Sequence, residues 1–430
     1  MVIPKTPDRA ASTVFQLRPI ARAVLGLFLG GAAFPGHALP TGAEVSAGNG
    51  VISRTGSALT VQQASPRLAI NWQSFGIGAA ESVIFRQPDA SAIALNRVLG
   101  QDPSVILGSL SANGQVFVLN PNGVLFGPGA QVDVGGIVAS TLGLSDADFL
   151  AGRYTFGNGG SAGSVVNRGT IRAADGGYVA LLAPQVVNEG VIAARLGTVA
   201  LGAGNQVTLT LAGNALVGFS VDQAAVDALA ANKQLIQADG GTVILSAQAK
   251  DALLSTVVNN EGIIEARSVS AKNGVIRLEG GPSGVVAVSG RLDASGANAG
   301  ETGGAVTVTG DKVGLMDRAV IDASGHAGGG TVLIGGDYQG KNPDVRNASR
   351  SYVAPDATLR ADATDSGDGG KVVVWADDVT RFYGAISARG GPKGGNGGFV
   401  ETSGKGWLDY QGWVDTRAAM GNTGTLLLDP

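Results

Sequence analysis

Cysteine is absent from all 430 residues, which excludes a disulfide framework, a thiolate nucleophile and a cysteine-based zinc centre. Histidine is nearly absent as well: of the two, His37 lies in an N-terminal leader, so His326 is the one imidazole left for acid–base work. Charged residues make up only 15% of the chain, against about a quarter in ordinary domains. The net charge of −4 gives neither the basic footprint that nucleic acid requires nor a polybasic face for an anionic membrane. No apolar run reaches the roughly 18–20 residues of a membrane-spanning helix.

What the chain has in excess is glycine, 69 residues, about twice average usage. With 44% hydrophobic residues this is not the composition of a disordered segment; it describes a turn-dense backbone around a buried core. Arg9, Arg18 and Arg22 precede the apolar stretch 23–34 (AVLGLFLGGAAF), and the small residues of Gly36-His37-Ala38 follow it. This reads as a secretory signal cleaved after Ala38, giving a leader over 1–38 and an exported, soluble remainder. For such a chain the missing cysteines matter again, because nothing would lock it by oxidation before it crossed a narrow pore unfolded.

Aligning the Asn-x-Gly positions exposes a degenerate repeat. VVNRGTIRAADGGYVALLA begins at Val165 and VVNEGVIAARLGTVALGA at Val186, 21 residues later; VVNNEGIIEARSVSAKNGVIRLEG begins at Val257, and DASG recurs at Asp293 and Asp322. Periods of this size mark a solenoid. Within each copy, short β-branched and aliphatic runs alternate with period two and are bounded by Gly, Asn and Asp. The expectation is an all-β fold, a parallel β-helix in which each strand pairs with its equivalent one coil away. At roughly 20–25 residues per coil the chain would form about 15–19 coils and a rod on the order of 80 Å. A β-sandwich or propeller would instead show hairpin and blade signals. Two stretches interrupt the pattern. Ser145 with Asp146, Asp148 and Leu150 predicts a capped short helix, and residues 221–235 (VDQAAVDALAANKQL) are rich in helix formers; both are expected to leave the coils and cover one side of the rod.

Residues 68–142 carry Ile70-Asn71-Trp72 with Ser74-Phe75, then Asn96-Arg97-Val98, Asn113-Gly114-Gln115-Val116-Phe117, the tetrad Asn120-Pro121-Asn122-Gly123, and Ala139-Ser140-Thr141. Taken together these resemble the secretion domain of the filamentous-haemagglutinin family of two-partner secretion exoproteins. The resemblance implies a right-handed parallel β-helix and an outer-membrane barrel partner bearing POTRA domains. It also implies a chain that passes from Sec export to the cell surface, with Asn71, Trp72 and the tetrad as its secretion motif. Where many members carry an upstream Asn-Pro-Asn-Leu, this chain has Gln87-Pro88-Asp89-Ala90; it is closer to the branch of high-molecular-weight adhesins and haem-haemopexin-binding exoproteins. The implied organisation is a secretion domain over 39–290 followed by continuing coils over 291–430. The strand-like ending GTLLLDP suits either a piece of a longer exoprotein or a short member.

The tetrad has a physical reading of its own. Asn120 and Asn122 are suited to bonding nearby backbone, Pro121 presets φ, and Gly123 permits a left-handed conformation. Two roles stay open, a turn required for folding and a direct contact with the transporter. Catalytic signals are weak. His326 sits in the turn-like SGHAGGG, and Asp362, Asp365, Asp368 and the pair Asp377-Asp378 match no calcium-loop spacing. GGPKGGNGG at 390–398 lacks the context of a phosphate loop. Trp375, Trp407, Tyr410 and Trp413 fit coil-stacking aromatics better than a sugar platform. No cofactor is expected and nucleic acid is not a partner; a receptor or glycan at a cell surface is. The function that follows is a non-enzymatic adhesin-like exoprotein, with a glycan-active β-helix enzyme and the stalk of a contact-dependent toxin as alternatives.

Overall fold

In each coil, inward-pointing aliphatic side chains alternate with outward polar ones, and turns rich in Gly and Asn swing the chain to the next face. The computed structural model describes residues 39–157, 163–250 and 256–429; the leader and the Ala38 cleavage position lie outside the described residues. The body is a parallel β-helix with three faces. One face is an 11-stranded sheet running from Ser104–Ile106 to Trp407–Tyr410. The other two, a first face stacked from Ala58–Gln63 to Trp413–Asp415 and a second stacked from Arg67–Trp72 to Thr425–Asp429, merge through the long bent strands Gln131–Ser140 and Thr170–Ala183.

Register is held rung by rung. On the first face Leu110, Val132, Ile171, Ile192, Ile236, Ile264, Leu292, Ile321, Leu359 and Ile386 lie directly over one another, all fully buried. Such a column makes the interior one continuous core. On the eleven-stranded face, the asparagines of the Asn-x-Gly repeats form a second column. Asn167 Nδ2 donates to Asn188 Oδ1, Asn188 Nδ2 to Asn232 Oδ1, and Asn232 Nδ2 to Asn260 Oδ1, each at 2.8 Å and fully buried. The glycine of the repeat has a steric cause: a Cβ on Gly169 would stand 2.6 Å from the carbonyl oxygen of Gly127 on the rung before. Beyond Asn260 the column turns apolar, through Val288, Leu315 and Val353, and ends with Phe382 and Tyr410 stacked at 5.5 Å.

The strands Glu44–Ala47 and Gly50–Thr55 run antiparallel to Arg67–Trp72 and Ala58–Gln63 and cover the first rung. From Arg67–Trp72 to Thr425–Asp429 thirteen strands stack on the second face among the described residues. At about 4.8 Å per step the thirteen strands make a rod of roughly 58 Å, fewer rungs and a shorter rod than the roughly 15–19 coils and about 80 Å expected from the repeat period. The distal coils are longer than assumed: Val286 stands over Val258, and Val313 over Val286. Residues are also spent outside the coils.

The expected short helix is present as Asp146–Leu150, capped by Ser145, whose Oγ accepts from Asp148 N. The helical reading of 221–235 is corrected. The segment contributes to the strand Ala215–Gln223, then forms Leu229–Asn232 and begins Leu235–Gln237. Its alanines fit the narrow interior, Ala230 stacking between Val186 and Val258, so tertiary packing overrides helix propensity. Ala215–Gln223 is instead half of a hairpin with Gln206–Ala212, and the strand Tyr154–Gly157 joins it to make a three-stranded antiparallel sheet. Phe149, Tyr154, Phe156, Val207 and Leu209 lay this layer over Leu95, Phe117, Val138 and Tyr178, forming a second core outside the coils. A smaller excursion after Ile334 covers Leu333, Val373 and Trp375.

Carboxylates brace the distal turns. Burial pushes the Asp293 carboxyl up, but hydrogen bonds from Ser295 and the Arg291 guanidinium more than offset this and hold it below the ordinary carboxylate value. Asp337 is held down in the same way by Lys371, Asn342 and the Tyr338 amide. A carboxyl whose pKa falls on folding stabilises the chain above its unfolded pKa, and that contribution disappears as pH drops through the folded value. Glu401, raised by burial, acts in the opposite sense. The lowered group is the larger, so the melting temperature should fall as pH is taken below about 4, measured by circular dichroism; an acid-insensitive melt would show that these pairs contribute nothing.

Candidate secretion site

The motif residues that are scattered in sequence are consecutive rungs in space. Ile70, Asn71 and Trp72 lie under Asn96, Arg97 and Val98; Asn96 and Arg97 lie under Val118 and Leu119; these in turn lie beside Ala139 and Ser140. Buried polar groups tie the column together. Trp72, fully buried and edge-on to Phe75 at 5.7 Å, donates from Nε1 to Asn96 Oδ1 at 3.0 Å. Asn96 Nδ2 passes the interaction on to the carbonyls of Ala94 and Phe117, each at 3.2 Å. Arg97, on the outer side, donates to Asn71 Oδ1 at 3.0 Å and to the Leu144 carbonyl and Asp146 Oδ1, both at 2.7 Å. One guanidinium thereby fastens the start of the helix to the rungs.

The tetrad occupies the corner where Gln115–Leu119 turns into Val124–Phe126. Asn120 is fully buried. Its Nδ2 donates to the Asp102 carbonyl at 2.9 Å and to Ser104 Oγ at 3.0 Å, and its Oδ1 accepts from the Asn122 amide at 2.9 Å and from Asn122 Nδ2 at 3.1 Å. Asn122 Nδ2 also reaches the Gly100 carbonyl at 2.9 Å. Gly123 has φ +121°, a conformation that other residues rarely adopt, and its amide donates to the Asn120 carbonyl at 3.1 Å. Pro121 and Leu99 are both exposed, Leu99 at 61%, and Asn122 links their two segments through the Gly100 carbonyl. Since the Leu99 amide donates to the Trp72 carbonyl at 2.8 Å, Asn71, Trp72 and the tetrad meet at one corner, two rungs apart.

Nothing in the spacing of the supporting residues Leu99, Gly100, Asp102 and Ser104 advertises them in the sequence. Gln87-Pro88-Asp89-Ala90 is also a built turn. Asp89 Oδ1 accepts from the Ser91 and Ala92 amides, while the buried Gln87 side chain donates to Gln63 Oε1 and to the carbonyls of Ala92 and Gln115. Asn113 and Gln87 exchange two hydrogen bonds, at 2.7 and 2.8 Å.

The remaining candidates fall apart in space. Asp362 accepts from Ser387, the Arg389 amide and its guanidinium; Asp365 pairs with Lys393 at 2.7 Å; Asp368 accepts from the Asn396 amide. His326 Nε2 lies 3.9 Å from Asp365. Among the described residues no group of three or more His, Asp or Glu converges. The late aromatics divide over three faces. Trp375 is buried and donates to Asp377, Tyr410 stacks on Phe382, Trp407 lies 6.0 Å from the Arg381 guanidinium, and Trp413 stands outward on the first face.

The family model for the TPS secretion domain matches residues 36–291. A heme/hemopexin-binding protein of Haemophilus influenzae strain Rd is 33% identical over 274 residues, 62% of this chain and 30% of that protein. A second heme/hemopexin-binding protein of Haemophilus influenzae is 32% identical over 247 residues, 52% of this chain and 26% of that protein. The chain thus matches under a third of the length of these relatives. The crystal structure of the HMW1 secretion domain from Haemophilus influenzae, 31% identical, superposes with a TM-score of 0.77 over 87% of this chain and 99% of that one. A family match over more than half the chain, carried by the same stacked rungs as the motif column, makes this protein a member of the TPS secretion domain family, a two-partner secretion exoprotein.

Proposed function

We propose that residues 39–290 direct export through an outer-membrane POTRA-barrel transporter, that the later coils form the shaft, and that the whole is a secreted or surface-held adhesin-like exoprotein. One observation carries the reading: the family match spans the rungs that hold Trp72, Asn96 and the tetrad. In the site, Asn120 acts by shaping the corner, because its side chain is spent on its own neighbours, while Pro121 and Leu99 offer the surface a transporter would touch. Binding of a haem-carrier protein is a second reading, favoured by the names of the two curated relatives. A non-catalytic role is supported by carboxylates that are engaged by cationic and amide partners.

The test is co-expression in a Gram-negative host with and without a cognate barrel, followed by assay of the medium. The chain should appear outside only with the barrel. Asn120→Ala leaves four hydrogen bonds unmade, on the order of 3 kcal/mol, and should hold most of the chain inside the cells. If folding outside draws the chain through, Gly169→Val should slow export by blocking the stacking of one coil; normal export of a misfolded product would defeat that idea.

A further inference from the structure

We propose that the first face of the distal shaft carries a binding groove for an acidic oligosaccharide, with Trp413 as the stacking platform and Arg360 and Arg389 as the carboxylate clamp. The groove is about 480 Å³ and open to solvent. It arises from side-chain size. In the column Thr358, Ala385, Trp413, one indole rises above two small residues, so a flat apolar wall, 56% exposed, overlooks a trench. The indole is not part of the core, whose inward positions on these three rungs are Leu359, Ile386 and Val414.

The polar floor is fixed in advance. Asp362, 5% exposed, accepts from the Arg389 amide at 2.7 Å, from Ser387 Oγ at 2.9 Å and from the Arg389 guanidinium at 3.1 Å. Arg389 is therefore oriented while remaining half exposed, and Ser387 lies between Arg360 and Asp415 in the neighbouring column. The Arg360 guanidinium is exposed and forms no ion pair among the described residues; Asp322, its neighbour one rung away, is engaged by the Ser324 amide at 3.0 Å and by Arg291 at 3.5 Å. One preset guanidinium, one unpaired guanidinium, the Thr364 and Ser387 hydroxyls and an indole face line the groove together with Ser324 and the engaged carboxylates Asp322 and Asp362. A pyranose presents an apolar ring face for the indole and hydroxyls for Ser387 and Thr364, and a uronate adds the carboxylate that a planar guanidinium fork matches. An acidic peptide would satisfy the arginines but leave the indole and hydroxyls unused. All of these residues lie beyond position 291, so the proposal is independent of the secretion reading.

The purified full chain would be titrated with tetragalacturonate, followed by calorimetry and tryptophan emission, in parallel with its neutral methyl ester and with tetraglutamate. Saturable binding of the acid is expected, with affinity about ten-fold or more weaker for the ester and for Trp413→Ala and Arg360→Ala. Trp413→Phe should stay within about three-fold of the parent, and Trp407→Ala, on another face, should leave binding unchanged. The altered side chains are exposed, and unaltered circular dichroism would establish that the fold is kept. Absence of saturable binding, indifference to Trp413→Ala, or equal affinity for tetraglutamate would each overturn the proposal.

Discussion

Replacing Asn188 by alanine should lower the unfolding free energy by on the order of 4 kcal/mol, the largest loss expected of any single change in the turns. Its Nδ2 serves Asn232 Oδ1 and the carbonyls of Gly190 and Leu235, and its Oδ1 accepts from Asn167 Nδ2 and the Gly190 amide. Truncation leaves several of these groups buried with nothing to bond, at about 1–3 kcal/mol each when water is excluded. Urea unfolding measures it. The control is Asn259→Ala, whose Nδ2 donates to Glu261 at the surface and whose loss should cost within about 0.5 kcal/mol. Equal effects of the two would mean the column is decoration. Asn188→Asp gives an independent sign. A buried carboxyl has its pKa raised on folding, so its charged form is destabilising near neutrality, and stability should partly recover as pH falls from that raised value towards about 4, with no further gain below it.

Phe117→Ala should cost about 3–5 kcal/mol, but it should act on a different layer. Phe117 points away from the coil interior, yet it is fully buried, with the rings of Phe149, Tyr154 and Phe156 at 6.3, 5.7 and 6.0 Å. Without it the three-stranded layer loses its centre, leaving the hairpin tied to the coils by hydrogen bonds from Gln115 to the Gly213 carbonyl at 3.0 Å, from Thr198 to the Leu216 carbonyl at 3.2 Å and from Gln248 to the Val221 carbonyl at 2.5 Å. Limited proteolysis should therefore cut near Gly213 and around Asp146–Leu150 well before the rungs open. Cleavage kinetics identical to the parent, or simultaneous loss of the rungs, would mean that the layer and the coils are one cooperative unit.

The coils were legible because their chemistry is local. Asn-x-Gly, the β-branched runs and the Ser145 cap all announce themselves within a few residues, and the structure uses each as read. What was not legible depends on partners distant in the chain. Residues 221–235 look helical until Asn232 is seen to belong to the buried column and Ala230 to the interior. A 21-residue spacing overstates the coil number, because excursions and longer distal turns are invisible in it. The tetrad is visible in the sequence, yet its support by Asp102, Ser104 and Gly100 involves backbone carbonyls and a hydroxyl that carry no pattern. Trp413 follows Trp407 and Tyr410 closely in sequence, whereas the fold keeps those two on the eleven-stranded face and sets Trp413 on another, in one groove with Arg360 and Arg389.

The antiparallel strands Glu44–Ala47 and Gly50–Thr55 give the rod a polarity. With that side occupied, each new segment has a single open seam to join, as in a zip fastener with a fixed box at one end. A chain that folds from this end finds a finished template at every step, so the geometry of the first rung sets an order of assembly for the coils.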